Sequence, residues 1–430
     1  MPQTSPPPPR KRLTAWLLVL LFGMAFAAPA GAAPASSLPS LLTTARTRNP
    51  ELQAARLRYE AAQARAGYAG TLQPPKLNLS LMQLWGLEGP SAAVSQMIPL
   101  GQKRSLESTM ASRDAEMARG EYEAKWLTIA SDVKQAYYDL IYQEKALAIH
   151  HATREQVKNL QKVANARYAV GAGPQQDSLR AQVELSKLYD SEFEISQRIQ
   201  STRNKLNTLL NRGLDEPIPL PADFPKEPRP PVASELLAQA ERNHPMILAA
   251  QASVAAAEAR AAMAAEERQV PDLEVGLQVG KTMPEGMASA GNTYLGGMVG
   301  VTLPWLTPAR NEGRILEAQQ SVAAAQASYE SQLSNLRYRV RDLRNQLHRT
   351  THRLELYRTG FFLQANQSLK GALAAYQVNK ADFSTVIEAQ MAVFDTQMGY
   401  AMAQSEYFKL LAMLESELNL ADPESKSREK

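Results

Sequence analysis

RYAVGAGPQQDSLRAQ, Arg167 to Gln182, is answered 208 residues further on by AYQVNKADFSTVIEAQ, Ala375 to Gln390. Superposed, the two stretches pair Tyr168 with Tyr376, Val170 with Val378 and Ala181-Gln182 with Ala389-Gln390. Each sets a turn-forming residue, Gly171 or Asn379, three positions after its tyrosine. The flanks repeat in the same order, as a duplicated structural unit requires. NPELQAARLRYEAAQARAG at Asn49 returns as HPMILAAQASVAAAEARAA at His244, PKLNLSL at Pro75 as PDLEVGL at Pro271, and SQMIPL at Ser95 as GVTLPW at Gly300. Downstream, Leu206, Leu210 and Asn211 meet Leu414, Leu418 and Asn419 at the same 208-residue offset. The chain therefore reads as two tandem copies, residues 33–212 and 235–420, of a unit too long for a solenoid repeat. Between them GLDEPIPLPADFPKEPRPPVAS, Gly213 to Ser234, is a proline-dense connector that cannot be a helix interior.

The first residues, MPQTSPPPPRKR followed by LTAWLLVLLFGMAFAAPAGAA, have the basic, apolar and small-residue order of a secretory signal peptide. The expectation is a signal over residues 1–32, with Ala30 and Ala32 at the small positions before a cut at Ala33. A membrane anchor fits less well, because the apolar run is shorter than the roughly 20 residues a spanning helix needs. Loss of Arg10, Lys11 and Arg12 with the signal takes the formal net charge from +4 to +1. A near-neutral chain gives no support to a nucleic-acid partner. Cysteine is absent, which in an exported chain excludes a disulfide framework and any thiolate metal site. The final residues, 421–430, are expected to be a disordered tail.

Proline is missing between Pro99 and Pro174 and again between Pro308 and Pro423, and the gaps are filled with strong helix formers. In the second copy Tyr329, Leu333, Leu336, Val340, Leu343 and Leu347 step by fours and threes, and Leu354, Tyr357 and Phe361 resume after one missed position. That spacing is a coiled-coil seam. Val386, Val393, Tyr400, Tyr407 and Leu414, seven residues apart, give the returning helix a seam of its own. A continuous helix from Gln102 to Ala169 would be about 100 Å long at 1.5 Å per residue.

Strands are few. LNLSLMQL, Leu77 to Leu84, alternates leucine with mostly polar residues, and LEVGLQV, Leu273 to Val279, is its repeat partner. AAVSQMI before Pro99 and YLGGMVGVTL before Pro304 complete two hairpins, 77–98 and 273–303. No stretch after the signal is apolar enough for a membrane helix, but strands closed into a barrel also cross membranes. Four strands are too few to close one, since the smallest such barrels have about eight. Other copies of the chain must pair the edges: three copies give twelve strands, and counting alone leaves a dimer with eight open.

On these residues, NPEL at Asn49, PKLNLSL at Pro75, SQMIPLGQKR at Ser95 and the two tyrosine-turn stretches, the mature chain resembles an outer-membrane efflux protein of the TolC type. It looks most like the outer-membrane component of heavy-metal exporters of the cobalt-zinc-cadmium kind. The resemblance implies a mainly α fold with a small β part, assembled as a homotrimer. In that trimer a long antiparallel helical barrel carries a 12-stranded transmembrane β-barrel, with four strands per chain. It implies a passive duct in the outer membrane, contacting its lipid and reaching into the periplasm, with a periplasmic adaptor and an inner-membrane RND-type pump as partners. No cofactor is implied. The alternatives are a drug or type I secretion channel or, from another class, a periplasmic coiled-coil adaptor. Adaptors carry one central hairpin between lipoyl-like and β-barrel halves, whereas here the whole unit is duplicated.

The resemblance also implies roles for the two opening stretches, as the hairpin turns at the periplasmic end. Asp177 just beyond the first turn would tie the entrance shut against Tyr376 of the second, and Glu388 would line the aperture. Tyr168, Gly171, Gly173 and Asn379 would shape the turns and meet the adaptor. Where some members have arginine and aspartate this chain has Ala381 and Thr385, so its ring of locking contacts is built differently. Other readings compete. Asp177 suits the first turn of a helix, where the macrodipole favours a carboxylate. Tyr168 is expected to be a packing anchor of its turn. Lys380, beside Tyr376, reads either as a surface lysine or as a partner for a carboxylate. His348 and His352 have the i,i+4 spacing of metal ligands, and His150 and His151 are adjacent, but HRTTHR offers no nearby carboxylate. Enzyme signatures are missing: there is no glycine-rich phosphate loop, GxSxG or HExxH.

Overall fold

The protein is seen here as a computed structural model, which describes residues 38–81, 88–228, 233–282 and 292–420. The expected signal peptide, the expected tail and most of both strand-to-strand turns lie outside these residues. The first copy runs α1 (Leu38–Arg48), α2 (Pro50–Tyr68), β1 (Lys76–Ser80), β2 (Glu88–Pro99), α3 (Lys103–Ala169) and α4 (Gln175–Leu209). The second repeats that order as α5 (Ala233–Asn243), α6 (Pro245–Gln269), β3 (Asp272–Thr282), β4 (Thr293–Val301), α7 (Pro308–Leu356) continuing into α8 (Phe362–Gln377), and α9 (Phe383–Glu417).

Equivalent positions use equivalent devices. Asn49 caps α2, its side chain accepting from the Leu52 amide at 3.1 Å ahead of Pro50. His244 caps α6, its Nδ1 accepting from the Met246 amide at 3.2 Å ahead of Pro245. Burial holds the His244 pKa below its ordinary value, which keeps the ring neutral and leaves that nitrogen free to accept. At the far ends Asn211 and Asn419 both take positive φ, and their side chains donate to Arg48 O and Asn243 O, knitting the end of each copy to its beginning.

With 67 residues α3 is about 100 Å long at 1.5 Å per residue, and α2, α4, α6 and α9 all pack against it. Most seam residues are inside: Leu336, Val340, Leu343, Leu347 and Leu354 of α7 are buried, as are Val386, Val393, Tyr407 and Leu414 of α9, while Tyr329, Leu333 and Tyr400 are half-buried. The missed position in the α7 seam is filled by Thr350, which is buried like its neighbours, so the stripe runs on through a polar residue. The stripe breaks at the π-helical turn Tyr357–Phe361, whose extra residue leaves Phe361, expected in the seam, 43% exposed. Tyr357 lies over Gly399 of α9, where an added Cβ would run into the Tyr357 hydroxyl. Most buried apolar residues form one core along the helices; a second, smaller core with Tyr376, Phe383 and Val386 sits at the hairpin-turn end.

The proline-rich connector is fastened rather than loose. Ile218 and Phe224 enter the core, Lys145 holds Asp223 at 2.5 Å, and Arg358 holds Glu227 through two 2.7 Å bonds from one nitrogen. Tyr407 donates to the Pro228 carbonyl.

The strands begin and end a few residues away from their sequence-based bounds. The larger difference is that the two hairpins are one antiparallel sheet in the order β1-β2-β3-β4, joined where β2 pairs with β3. Register separates its faces. Leu77, Leu79, Val94, Leu277, Val279, Leu295, Val299 and Val301 share one face, all of them well exposed. Asn78, Ser95, Glu274, Gln278 and several glycines occupy the other. The outer edges of β1 and β4 have no strand partner among the described residues. GQKR after Pro99 is the strand-to-helix corner. Gly101 takes a φ of 67°, the Gln102 amide donates to Glu266 at 2.9 Å, buried Lys103 pairs with Asp272 at 2.7 Å, and Arg104 donates to Gly70 O at 2.9 Å. No helix among the described residues is long and apolar enough to cross a membrane.

Candidate functional site: the facing hairpin turns

Residues 170–174 join α3 to α4 and residues 378–382 join α8 to α9. Both turns close in the same way: Gly171 and Asn379 donate back to the tyrosine carbonyls at 3.0 and 3.2 Å, and Ala172 and Lys380 to Arg167 O and Ala375 O at 2.8 Å. The second residue of each turn must be left-handed, with φ of 73° at Gly171 and 60° at Asn379, which is why glycine and asparagine hold those positions.

The structure brings Asp177 and Tyr376 together. The Tyr376 hydroxyl donates to Asp177 Oδ2 at 3.3 Å, from a ring that is buried and tilted against Phe383 at 5.5 Å. Burial and the Asp177 carboxylate push the Tyr376 pKa above its ordinary value, so the hydroxyl keeps its proton and donates. Gly173 lies within 3.9 Å of Asp177 Oδ2, measured from where a Cβ would stand.

Other expectations are placed differently. Tyr168 is not a packing anchor: it is 51% exposed, because α3 turns the preceding residue toward the turn core instead. Lys380 is at the surface, with no carboxylate in salt-bridge range among the described residues. Glu388, also exposed, lines a groove of about 460 Å³ between α4 and α9 with Gln176, Leu179, Arg180, Glu184 and Ser384. The histidines form no group of three ligands among the described residues. His150 is buried edge-on to Phe394 at 4.8 Å, and His151 lies 3.6 Å from Glu192.

Arg167, which the tyrosine pattern passes over, is the most connected side chain of the region. Its guanidinium donates to Tyr376 O at 2.8 Å, to Ala172 O at 3.2 Å and to Asn379 Oδ1, and it lies over the Tyr376 ring at 4.3 Å. The available signal was the mismatch between the copies, since Ala375 stands where the duplication would put a second arginine.

A duplicated helical hairpin unit bearing a two-faced sheet with open edges is the architecture of outer-membrane channels. The sequence profile of the outer membrane efflux protein family matches residues 41–212 and 236–419, and the chain belongs to that family. Solved channels share the fold. VceC of Vibrio cholerae superposes with a TM-score of 0.73 at 21% identity, over 89% of this chain and 95% of that one. CmeC of Campylobacter jejuni gives 0.74 at 14% identity, over 91% and 88%. The open state of MtrE of Neisseria gonorrhoeae gives 0.71 at 20% identity, over 89% and 88%. No curated protein sequence matches the chain.

Proposed function

We propose that this protein is the exit duct of a tripartite efflux system: a homotrimer whose twelve strands close a barrel in the outer membrane and whose helices continue it through the periplasm. A periplasmic adaptor and an inner-membrane RND-type pump deliver the cargo, and the duct passes it outward passively. The observation that carries this reading is the sheet. One face carries exposed leucines and valines on all four strands, the other is more polar and rich in glycine, and neither edge has a strand partner among the described residues. A lone chain cannot hold such a sheet in lipid, because unpaired backbone groups have no partner there.

At the periplasmic end, Asp177 and Tyr376 act as the entrance tie and Glu388 as a charge at the aperture. The cargo we assign is heavy-metal cations, a reading that rests on the SQMIPLGQKR resemblance. The test of location is fractionation: the processed chain stays with the outer membrane after carbonate and high-salt washes. Recovery in the soluble periplasm overturns the duct reading. The test of cargo is the deletion strain, which becomes sensitive to zinc, cobalt or cadmium salts. Sensitivity to drugs with unchanged metal tolerance overturns the cargo and leaves the duct standing.

A further inference from the structure

The two turns are copies of one another, yet the contacts between them are not mirrored. Where the first copy has Arg167 and Asp177 the second has Ala375 and Thr385, and where the second has Asn379 the first has Gly171. Each contact between the turns uses a residue that only one copy possesses. Asn379 illustrates the divergence: glycine satisfies the left-handed position, as Gly171 shows, but only asparagine also presents an oxygen to Arg167. Arg167 in turn uses what a planar, forked donor alone provides, reaching a carbonyl on each turn while its flat face covers the Tyr376 ring. At 2.8 Å its bond to the Tyr376 carbonyl is shorter than the 3.3 Å tie from the Tyr376 hydroxyl to Asp177. Gly173 lies between the two grips: a Cβ there would be in ordinary contact with both, 3.4 Å from the Arg167 Cβ and 3.9 Å from Asp177 Oδ2.

We propose that Arg167 is the positioning residue of the entrance. It fastens the second turn to the first and presents Tyr376 to Asp177, so that the tie between those two depends on it. The proposal rests on the entrance reading of Asp177 and Tyr376. Its central claim, that Arg167 holds the two turns of one chain at a fixed separation, is measurable without a channel.

Because the chain has no cysteine, Val170→Cys and Val378→Cys, at two exposed turn positions, place one spin label on each turn. Labelled chain is diluted in an excess of unlabelled chain, and the label-to-label distance is read by pulsed electron paramagnetic resonance in detergent. The parent gives a narrow distribution, which Arg167→Gln and Arg167→Lys both broaden and shift, since a lysine keeps the charge and loses the fork. Asn379→Gly, which keeps the left-handed turn, broadens it as well and serves if an Arg167 variant fails to fold. Asp177→Ala leaves it narrow. In planar bilayers Arg167→Lys raises the open probability roughly tenfold or more, tenfold being the lower end of what one charge-assisted hydrogen bond carries. A distribution as narrow as the parent's in the folded Arg167 variants and in Asn379→Gly overturns the proposal. Parental conductance in both Asp177→Ala and Tyr376→Phe overturns the entrance reading instead, and the distance measurement does not depend on that result.

Discussion

Tyr376 is gripped at three points: its carbonyl and ring by Arg167, and its hydroxyl by Asp177. A hydrogen bond to a charged group is worth roughly 1.5 to 3 kcal/mol, and the same bond is removed from either side. Asp177→Ala and Tyr376→Phe are therefore expected to raise single-channel conductance each, and the double variant to add little beyond either. Additive effects would show that each residue acts through a different partner. The opposite kind of residue is Gly399, which matters for what it lacks. Gly399→Ala drives a methyl group into the Tyr357 hydroxyl, and overpacking of this kind costs roughly 1 to 3 kcal/mol. The variant should melt lower than the parent, and Tyr357→Phe in the same chain should recover part of the loss. A melting temperature equal to the parent's would mean that the π-turn yields without cost. Tyr376 was legible because the duplicated turn and the family resemblance both point at it, and Asp177 because the resemblance alone does. Arg167 was not, because its partners lie about two hundred positions away and identity between the copies, the signal being followed, is what it lacks.

Among the elements, the connector behaves as a strap with two charged fasteners. The Lys145 hydrogen bond holds the Asp223 carboxyl below its ordinary pKa. At Glu227 burial pushes upward, and the bonds from Arg358 and Gln404 outweigh it, so that its pKa is lowered too. A carboxylate whose folded pKa lies below its unfolded value adds stability that is complete above the unfolded value and lost as pH falls through the folded one. With unfolded values near about 4, the strap should hold through mild acid and release only below about pH 4. At neutral pH, Asp223→Asn with Glu227→Gln imitates that release: trypsin should cut after Lys226 faster than in the parent, and equal rates would show that Ile218 and Phe224 hold the strap alone. The strands make a second prediction. Leu277→Arg places a charge on the apolar face, where lipid contact costs roughly 2 to 4 kcal/mol, and should lower the amount recovered in outer membranes. Gln278→Arg, one residue on and facing the other way, should be recovered as the parent is. Equal losses in both would contradict the assignment of faces. Helices and hairpins could be read from periodicity and turn formers, since both are local signals. The β2–β3 pairing could not, because it joins residues of different copies and no turn between them announces it.

At the scale of the molecule, the open edges of β1 and β4 call for partner chains, and the proposed trimer supplies them with twelve strands. Detergent-solubilised protein is expected to have three times the mass of one chain by light scattering, and a monomeric mass would refute the closed barrel. The duplication itself was fully legible, because a tandem copy leaves the same order of motifs at a nearly constant offset. How each copy ends was not. Asn211 and Asn419 appear in sequence only as matched residues, and their task of tying the last turn of one helix to the start of the copy depends on a fold already formed.

The mismatch between Gly171 and Asn379 has a consequence for symmetry. In the proposed trimer, three chains with two turns each would set six turns around one axis, and identical copies would make that end sixfold. Arg167, Asp177 and Asn379, none of which is matched in the other copy, would reduce it to threefold, with two kinds of turn in alternation. A partner that arrives as a ring of six equal subunits would therefore find two classes of seat, and half of its contacts would be chemically distinct from the other half.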